Sequence, residues 1–275
     1  MNLPRISDLG HGIRRILAPN PSMMTGPGTN TYLVGFEEVA VIDPGPALPE
    51  HLQRIQAEAG TIRWIFVTHT HPDHSPGAAV LARETGAELV GMPPPDAAHQ
   101  DQSFVPDWQL EDGESLETTE FELLAVHTPG HASNHVCFQH AESNCLFTGD
   151  HVIDGSTVVI NPPDGNMRDY ILSLKRVLKL QIDAILPGHG ERIDDPDRVV
   201  QWIIDHRLER EDKVVQAFRA RGTATAAELV PDVYVDVPEH LHGWAERSLL
   251  AHLIKLTEDG RATEESRRFT WLEGR

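Results

Sequence analysis

The segment Thr68-His69-Thr70-His71-Pro72-Asp73-His74 places four metal-capable side chains within six residues, directly after the apolar run Trp64-Ile65-Phe66-Val67. His69 and His71 are two apart at the end of what reads as a buried strand. Alternate strand residues leave the backbone on the same side. Pro72 turns the chain and carries Asp73 and His74 to a second position close by. One short segment can therefore serve two metal ions. Two neutral imidazoles make a good zinc pair, and a carboxylate with a third imidazole begins another.

Three later segments add to the set: His127-Thr128-Pro129-Gly130-His131, Thr148-Gly149-Asp150-His151 and Leu186-Pro187-Gly188-His189-Gly190. Each follows a short apolar stretch, at 121–126, 145–147 and 184–186, and breaks at Gly or Pro before presenting a His or Asp. Repetition of strand, turn and ligand-type residue lines several donors along one rim of a sheet. A lone Gly-His-Gly or Thr-Gly-Asp reads as a turn. All of them in this order, with Val41-Ile42-Asp43-Pro44-Gly45 upstream, read as a metal site.

The whole set resembles the metallo-β-lactamase superfamily, in which His-x-His-x-Asp-His, then a His, an Asp and a His, builds a dinuclear site. The resemblance implies that His69, His71 and His131 hold one metal. It implies that Asp73, His74 and His189 hold the other, with Asp150 bridging. Asp43 becomes the acidic residue that orients a ligand imidazole from behind. Two zinc ions are implied, with iron or manganese as alternatives. The segments 28–34 and 169–175, with a short helical C-terminal part, are similar to the β-lactamase-like protein 2 branch over nearly the whole chain. That branch includes endoribonucleases of single-stranded RNA and fungal thioesterases. The His127 to His131 stretch is also similar to glyoxalase II, but the C-terminal part does not resemble that enzyme's glutathione-binding region. True β-lactamases usually carry Cys where Asp150 stands, which argues against antibiotic hydrolysis.

The chemistry implied is hydrolysis by a hydroxide bridging two metals, because metal binding lowers the pKa of water from about 16 to about 7. Asp73 is expected to steer that hydroxide or carry a proton. Asp150, between two cations, is expected to stay ionised. Thr29 and Asn30 either line the cleft or satisfy a turn. Tyr170, at a helix start, either donates to a substrate oxygen or packs. Asn134 either caps the chain before a hairpin, the preferred reading, or faces substrate, and His151 reads as a neighbour supporting the ligands. His240, His242 and His252 read as scattered helix and loop residues.

The elements that must position these residues follow from spacing. Residues 31–34 and 39–42 read as two strands around Gly35-Phe36-Glu37-Glu38, and 62–67 as another. Leu48, Leu52 and Ile55 keep helical spacing up to Gly60. Residues 76–85 read as a helix opened by Ser75-Pro76 and closed at Gly86. Residues 135–147 read as a hairpin, with Cys137 and Cys145 as free buried thiols close to each other across it. Residues 169–180 read as a helix with Ile171, Leu174, Val177 and Leu178 on one face. Two halves of strands and helix fit the four-layer α/β/β/α sandwich that the resemblance implies, over residues 1–200. Residues 201–275 read as a winged-helix-like module: helices at 199–220, 223–229 and 245–257, then a small hairpin after Asp259-Gly260.

Charge narrows the partners. Residues 1–204 carry 12 basic and 28 acidic side chains, against 11 and 14 in residues 205–275, for a net −19 overall. A domain this acidic repels polyanions at long range. The module's last helix has only Arg247 and Lys255 as basic residues, so a packing or dimerisation role, with a homodimer as the partner, is preferred over DNA binding. No apolar run approaches a membrane span. The start Met1-Asn2-Leu3-Pro4-Arg5-Ile6-Ser7 lacks a basic region before an apolar core, so no leader and a cytoplasmic location are expected. The reading preferred is a dinuclear-zinc hydrolase of a small carboxylic ester or thioester. The alternatives are a metal-dependent endoribonuclease on single-stranded RNA and a ligand-sensing winged-helix regulator.

Overall fold

The computed structural model describes residues 6–272. Residues 1–5, part of the stretch read for a leader, lie outside the described residues. Among the described residues no helix is long and apolar enough to cross a membrane. The chain divides into two compact units. Among the described residues, the first holds 6–128, 134–158 and 180–196; the second holds 129–133, 159–179 and 197–272.

The first unit is built on two sheets. One has the order β1 (Ile6–Gly10), β2 (Ile13–Leu17), β3 (Asn30–Val34), β4 (Glu38–Ile42), β5 (Thr61–Phe66), β6 (Glu88–Val90). The other contains β7 (Ser115–Glu117), β8 (Glu122–His127), β9 (Val136–His140), β10 (Cys145–Gly149) and β11 (Ala184–Pro187), ordered β11-β10-β9-β8-β7. Strand alternation sorts the first sheet's side chains onto two faces. Tyr32, Val34, Ala40, Ile42 and Phe66 meet Leu123, Phe138, Phe147 and Leu186 of the second sheet in one core. Leu33, Val39, Val41 and Ile65 turn the other way, onto α1 (Pro49–Ala59) and α2 (Pro76–Thr85) through Leu52, Ile55, Ala78 and Leu81. Three of the four expected layers are thus present in this unit.

Two parallel strand pairs position the chemistry. Helix α1 crosses from β4 to β5, which run parallel with Ile42 opposite Phe66. β10 and β11 are also parallel, with Gly149 opposite Pro187. Parallel strands end on the same rim, so Asp43 and the 68–74 loop leave one sheet together, and Asp150 and His189 leave the other together. Ligands of open α/β sheets bind outside such carboxyl ends. The β9–β10 ladder places Cys145 opposite His140, not near Cys137. The expected proximity of the two cysteines does not occur; both are buried free thiols.

The second unit contains α3 (Met167–Val177), α4 (Pro196–Arg221), β12 (Thr223–Ala224), α5 (Ala226–Val233), α6 (His242–Glu258), β13 (Ala262–Glu265) and β14 (Arg268–Trp271). Residues 223–224, read as the start of a helix, form a strand. Thr225 then caps α5 through a reciprocal bond with Glu228, which fixes where the helix begins. The β13–β14 hairpin turns at Ser266 and Arg267, both at positive φ, as a two-residue turn of matching twist requires. Val214, Phe218, Leu229, Val233, Leu249, Leu253, Leu256 and Phe269 form its core. The boundary expected near residue 200 falls inside the continuous helix α4.

Candidate metal centre

The 68–74 loop is held by buried polar contacts on both sides. Asp43, just past β4 at φ 49°, is 2% exposed. Its Oδ1 accepts from the Thr68 N–H at 2.8 Å and its Oδ2 from the Thr68 hydroxyl at 2.7 Å. Thr31 donates to the Asp43 carbonyl at 2.7 Å, and the His51 ring lies 2.9 Å from that same hydroxyl. Burial pulls the His51 pKa down to about 4. Farther along, Asn134 donates to the Thr70 hydroxyl at 2.8 Å, Thr70 donates to Gln100, and Ser75 donates to Asp101. Asn134 therefore ties the loop before β9 to the 68–74 loop, where a simple cap was expected.

His74 is the most constrained donor. It is wholly buried, and its Nδ1 lies 2.9 Å from Asp43 Oδ2. That bond leaves Nε2 to face Asp150 Oδ1 at 3.4 Å and Asp73 Oδ2 at 3.6 Å. His74 Nε2 is a buried nitrogen that makes no hydrogen bond. His189 is arranged likewise: Nδ1 lies 3.1 Å from the Gly28 carbonyl, and Nε2 lies 3.2 Å from Asp73 Oδ2 and 3.3 Å from Asp150 Oδ1. Two imidazole nitrogens and two carboxylate oxygens thus converge. Asp73, His74 and His189 form one possible donor set, and His69, His74 and Asp150 another, each with its atoms within 4.8 Å of one another. The His71 ring centroid is 4.6 Å from that of His69. A buried imidazole nitrogen with its other edge fixed by a carboxylate is the usual setting of a metal-bound His, so the residues fit divalent metal.

The electrostatics agree. Burial alone lowers the His74 pKa, but Asp73, Asp150 and Asp43 together push it well above the ordinary imidazole range. His189 is raised against the same burial penalty, through Asp150 and Asp73. Burial raises the Asp73 carboxyl, yet His74 and His189 outweigh it and hold that carboxyl low. A field that draws protons onto two buried rings draws a divalent cation equally.

The glycines around the centre permit close approach. A Cβ on Gly188 would stand 2.7 Å from His74 Cε1. The loop carrying His189 is also clamped from β2 and β3. Asn30 donates from Nδ2 to the Pro187 and Gly190 carbonyls, each at 2.9 Å. The Tyr32 hydroxyl donates to Pro187 at 2.7 Å, and Arg15 donates to Gly190 at 3.2 Å. Burial raises the Tyr32 phenol above its ordinary range. Asn30 is 1% exposed, so it supports His189 and does not line a cleft. Thr29 is fully buried and bonded on both its N–H and its hydroxyl by Asn20, the turn alternative of the two readings.

His151 and His135 are buried, the His135 ring stacked 5.0 Å from His69. In the second unit, His131 has Nδ1 2.9 Å from the Val159 carbonyl, which leaves Nε2 as its open nitrogen for a metal or another partner. Tyr170 of α3 is wholly buried, with the Arg207 guanidinium 5.6 Å from its ring centre, so packing is its observed role. His242 lies 3.1 Å from the Val237 carbonyl and His252 is buried against Glu211. Among the described residues no group of three metal donors forms around His240, His242 and His252. Sequence reasoning missed Thr68, Gln100, Asp101, Tyr32 and Arg15. Only Thr68 carried a local signal, its place directly before the first ligand.

Residues 24–189 match the Metallo-beta-lactamase superfamily, and residues 225–271 match the Beta-lactamase associated winged helix domain. The chain is 31% identical to a Beta-lactamase-like protein 2 homolog of Drosophila melanogaster, covering 94% of this chain and 92% of that one. It is 30% identical to an Atrochrysone carboxyl ACP thioesterase of Aspergillus fumigatus, covering 86% and 78%. A metallo-beta-lactamase family protein from Thermus thermophilus shares the fold at a TM-score of 0.78 and 23% identity, covering 96% of this chain and all of that one. A beta-lactamase domain protein from Burkholderia ambifaria does so at 0.82 and 19%, covering 98% and 94%. Sandwich, winged-helix module and His/Asp cluster agree with these matches: the chain belongs to the metallo-β-lactamase superfamily of metal-dependent hydrolases.

Proposed function

We propose that the chain is a dinuclear-zinc hydrolase of a small carboxylic ester or thioester. The observation that carries this is the convergence of His74 and His189 Nε2 on Asp73 and Asp150 at 3.2 to 3.6 Å. In this reading Asp73, His74 and His189 hold one ion, His69, His71 and His131 hold the other, and Asp150 bridges. Iron or manganese is the alternative to zinc. Metal bound there supplies water of lowered pKa and an electrophile for the scissile carbonyl. Asp43 keeps the His74 lone pair on the reacting side. Asp73, with 28% of its side chain exposed against 14% for Asp150, is the carboxylate that exchanges a proton with the reacting group. The thioesterase name of the Aspergillus fumigatus relative supports the acyl substrate.

The domains follow the same reading, residues 1–200 for catalysis and 201–275 for the winged-helix module. In α6, Arg247 lies over the Trp244 ring, and Lys255 is tied to Glu211 and Asp259. Two engaged cations are a poor DNA-reading face, which counts against the regulator reading; packing or a homodimer suits the module better. The endoribonuclease reading is separated by experiment. Zinc-loaded protein is assayed on a thioester panel and on single-stranded RNA across a salt series. Thioester turnover nearly independent of salt is expected. RNA cleavage falling with a log–log slope of about −0.7 per phosphate contact, with no thioester turnover, would replace this reading.

A further inference from the structure

We propose that the Thr68 hydroxyl is a positioning group that extends the reach of Asp43 to a second imidazole and fixes the tautomer of His69. The proposal rests on the reading of the cluster as a metal centre. Thr68 is 1% exposed, and its hydroxyl hydrogen is given to Asp43 Oδ2 at 2.7 Å. A hydroxyl has a single hydrogen and otherwise only lone pairs. His69 Nδ1 lies 3.1 Å from that same oxygen. With the hydrogen already committed, Thr68 offers His69 only a lone pair. The proton of His69 must then sit on Nδ1, and the lone pair on Nε2. Asp43 sets His74 in the same sense directly, at 2.9 Å. One buried carboxylate thus dictates the metal-facing nitrogen of two rings, one of them through the threonine.

A second observation bears on the same hydroxyl. Gly149, next to Asp150, has φ +45°, and a Cβ there would run into both Oγ1 and Cβ of Thr68. The strand that delivers Asp150 therefore carries no side chain where Thr68 sits, which lets that side chain stand between Asp43 and His69. The relay also accounts for both oxygens of Asp43, one taking the Thr68 N–H and the other the Thr68 hydroxyl and the His74 ring.

The test compares wild type, Thr68→Val, which keeps the shape and loses the hydroxyl, and Thr68→Ser, which keeps the hydroxyl. Zinc affinity is measured by competition with a chromophoric chelator. The imidazole N–H signals of the zinc-loaded proteins are read by nitrogen-15 NMR. Loss of a supporting partner at a metal site weakens binding roughly 10- to 100-fold, and Thr68→Val is expected in that range. It should lose or shift the His69 Nδ1–H signal and keep that of His74. Thr68→Ser is expected to hold zinc within about threefold of wild type, the hydroxyl being what the relay needs. Thr68→Val that matches wild type in affinity and His69 signal overturns the proposal. So does Thr68→Ser that binds zinc ten times more weakly than wild type, an outcome that decides the matter even if the valine variant does not fold. Wild type that takes up no zinc overturns the centre itself and this proposal with it.

Discussion

His74 and Asp43 form a buried pair, Nδ1 to Oδ2 at 2.9 Å, and that bond decides which nitrogen of His74 faces Asp73 and Asp150. Asp43 belongs to the end of β4 and His74 to the loop after β5, so the parallel pairing of those strands is what brings them together.

Asp43→Asn is expected to weaken zinc binding roughly 10- to 100-fold. An amide has one acceptor oxygen and one donor nitrogen, so it cannot accept from the Thr68 N–H on one side and from the Thr68 hydroxyl and His74 on the other. A buried donor without an acceptor costs about 1–3 kcal/mol. Chelator competition and urea unfolding measure the two effects. An unchanged midpoint and unchanged affinity would remove Asp43 from its role.

The buried His51 makes stability depend on pH. Its folded pKa is held down to about 4 by burial, below the usual imidazole value. Protons then bind the unfolded chain more readily than the folded one. The stability is fully present above about pH 6.5, falls as pH drops toward 4, and is lost below that. The most this one group can contribute is about 3 kcal/mol. Unfolding free energies of metal-free wild type and His51→Gln, compared from pH 7 to 4, should show the steeper fall in wild type. Parallel curves would contradict it.

Asp150→Ala is expected to remove nearly all hydrolysis and leave the chain folded. Asp150 raises the half-buried carboxyl of Asp73 by like-charge repulsion, so its loss removes one unfavourable charge contact from the folded chain. Zinc content and turnover should fall by more than the roughly 10- to 100-fold typical of a supporting residue, while the circular dichroism of the metal-free protein stays that of wild type. Near-normal turnover would take Asp150 out of the centre.

The proposed ligands stand out in the sequence because each is announced locally. His69 to His74 follow an apolar strand at short spacing, and Asp150 and His189 each follow a strand and a Gly or Pro turn. The supporting residues do not, because their partners lie far off in sequence. Asn30 binds carbonyls 157 and 160 residues away, so its clamp on the His189 loop has no local signature. Gln100 and Asp101 sit in an irregular Pro-rich stretch and gain meaning only beside Thr70 and Ser75. Strands β1 and β2 were missed; β1 has no fully buried residue and so lacks an inward-outward alternation. The hairpin carrying Cys137 and Cys145 was found, but its register is set by the turn, and spacing alone does not give it.

A metal-dependent acyl hydrolase that needs two ions per chain depends on its metal in a countable way. Its most direct test is elemental analysis of protein stripped by chelator and reloaded with zinc, with thioester turnover followed at each equivalent added. Turnover is expected to be absent in the stripped protein, to return with zinc, and to reach a plateau near two ions per chain. A plateau at or below one ion, with iron as the only metal held tightly, or turnover that survives stripping, would contradict it.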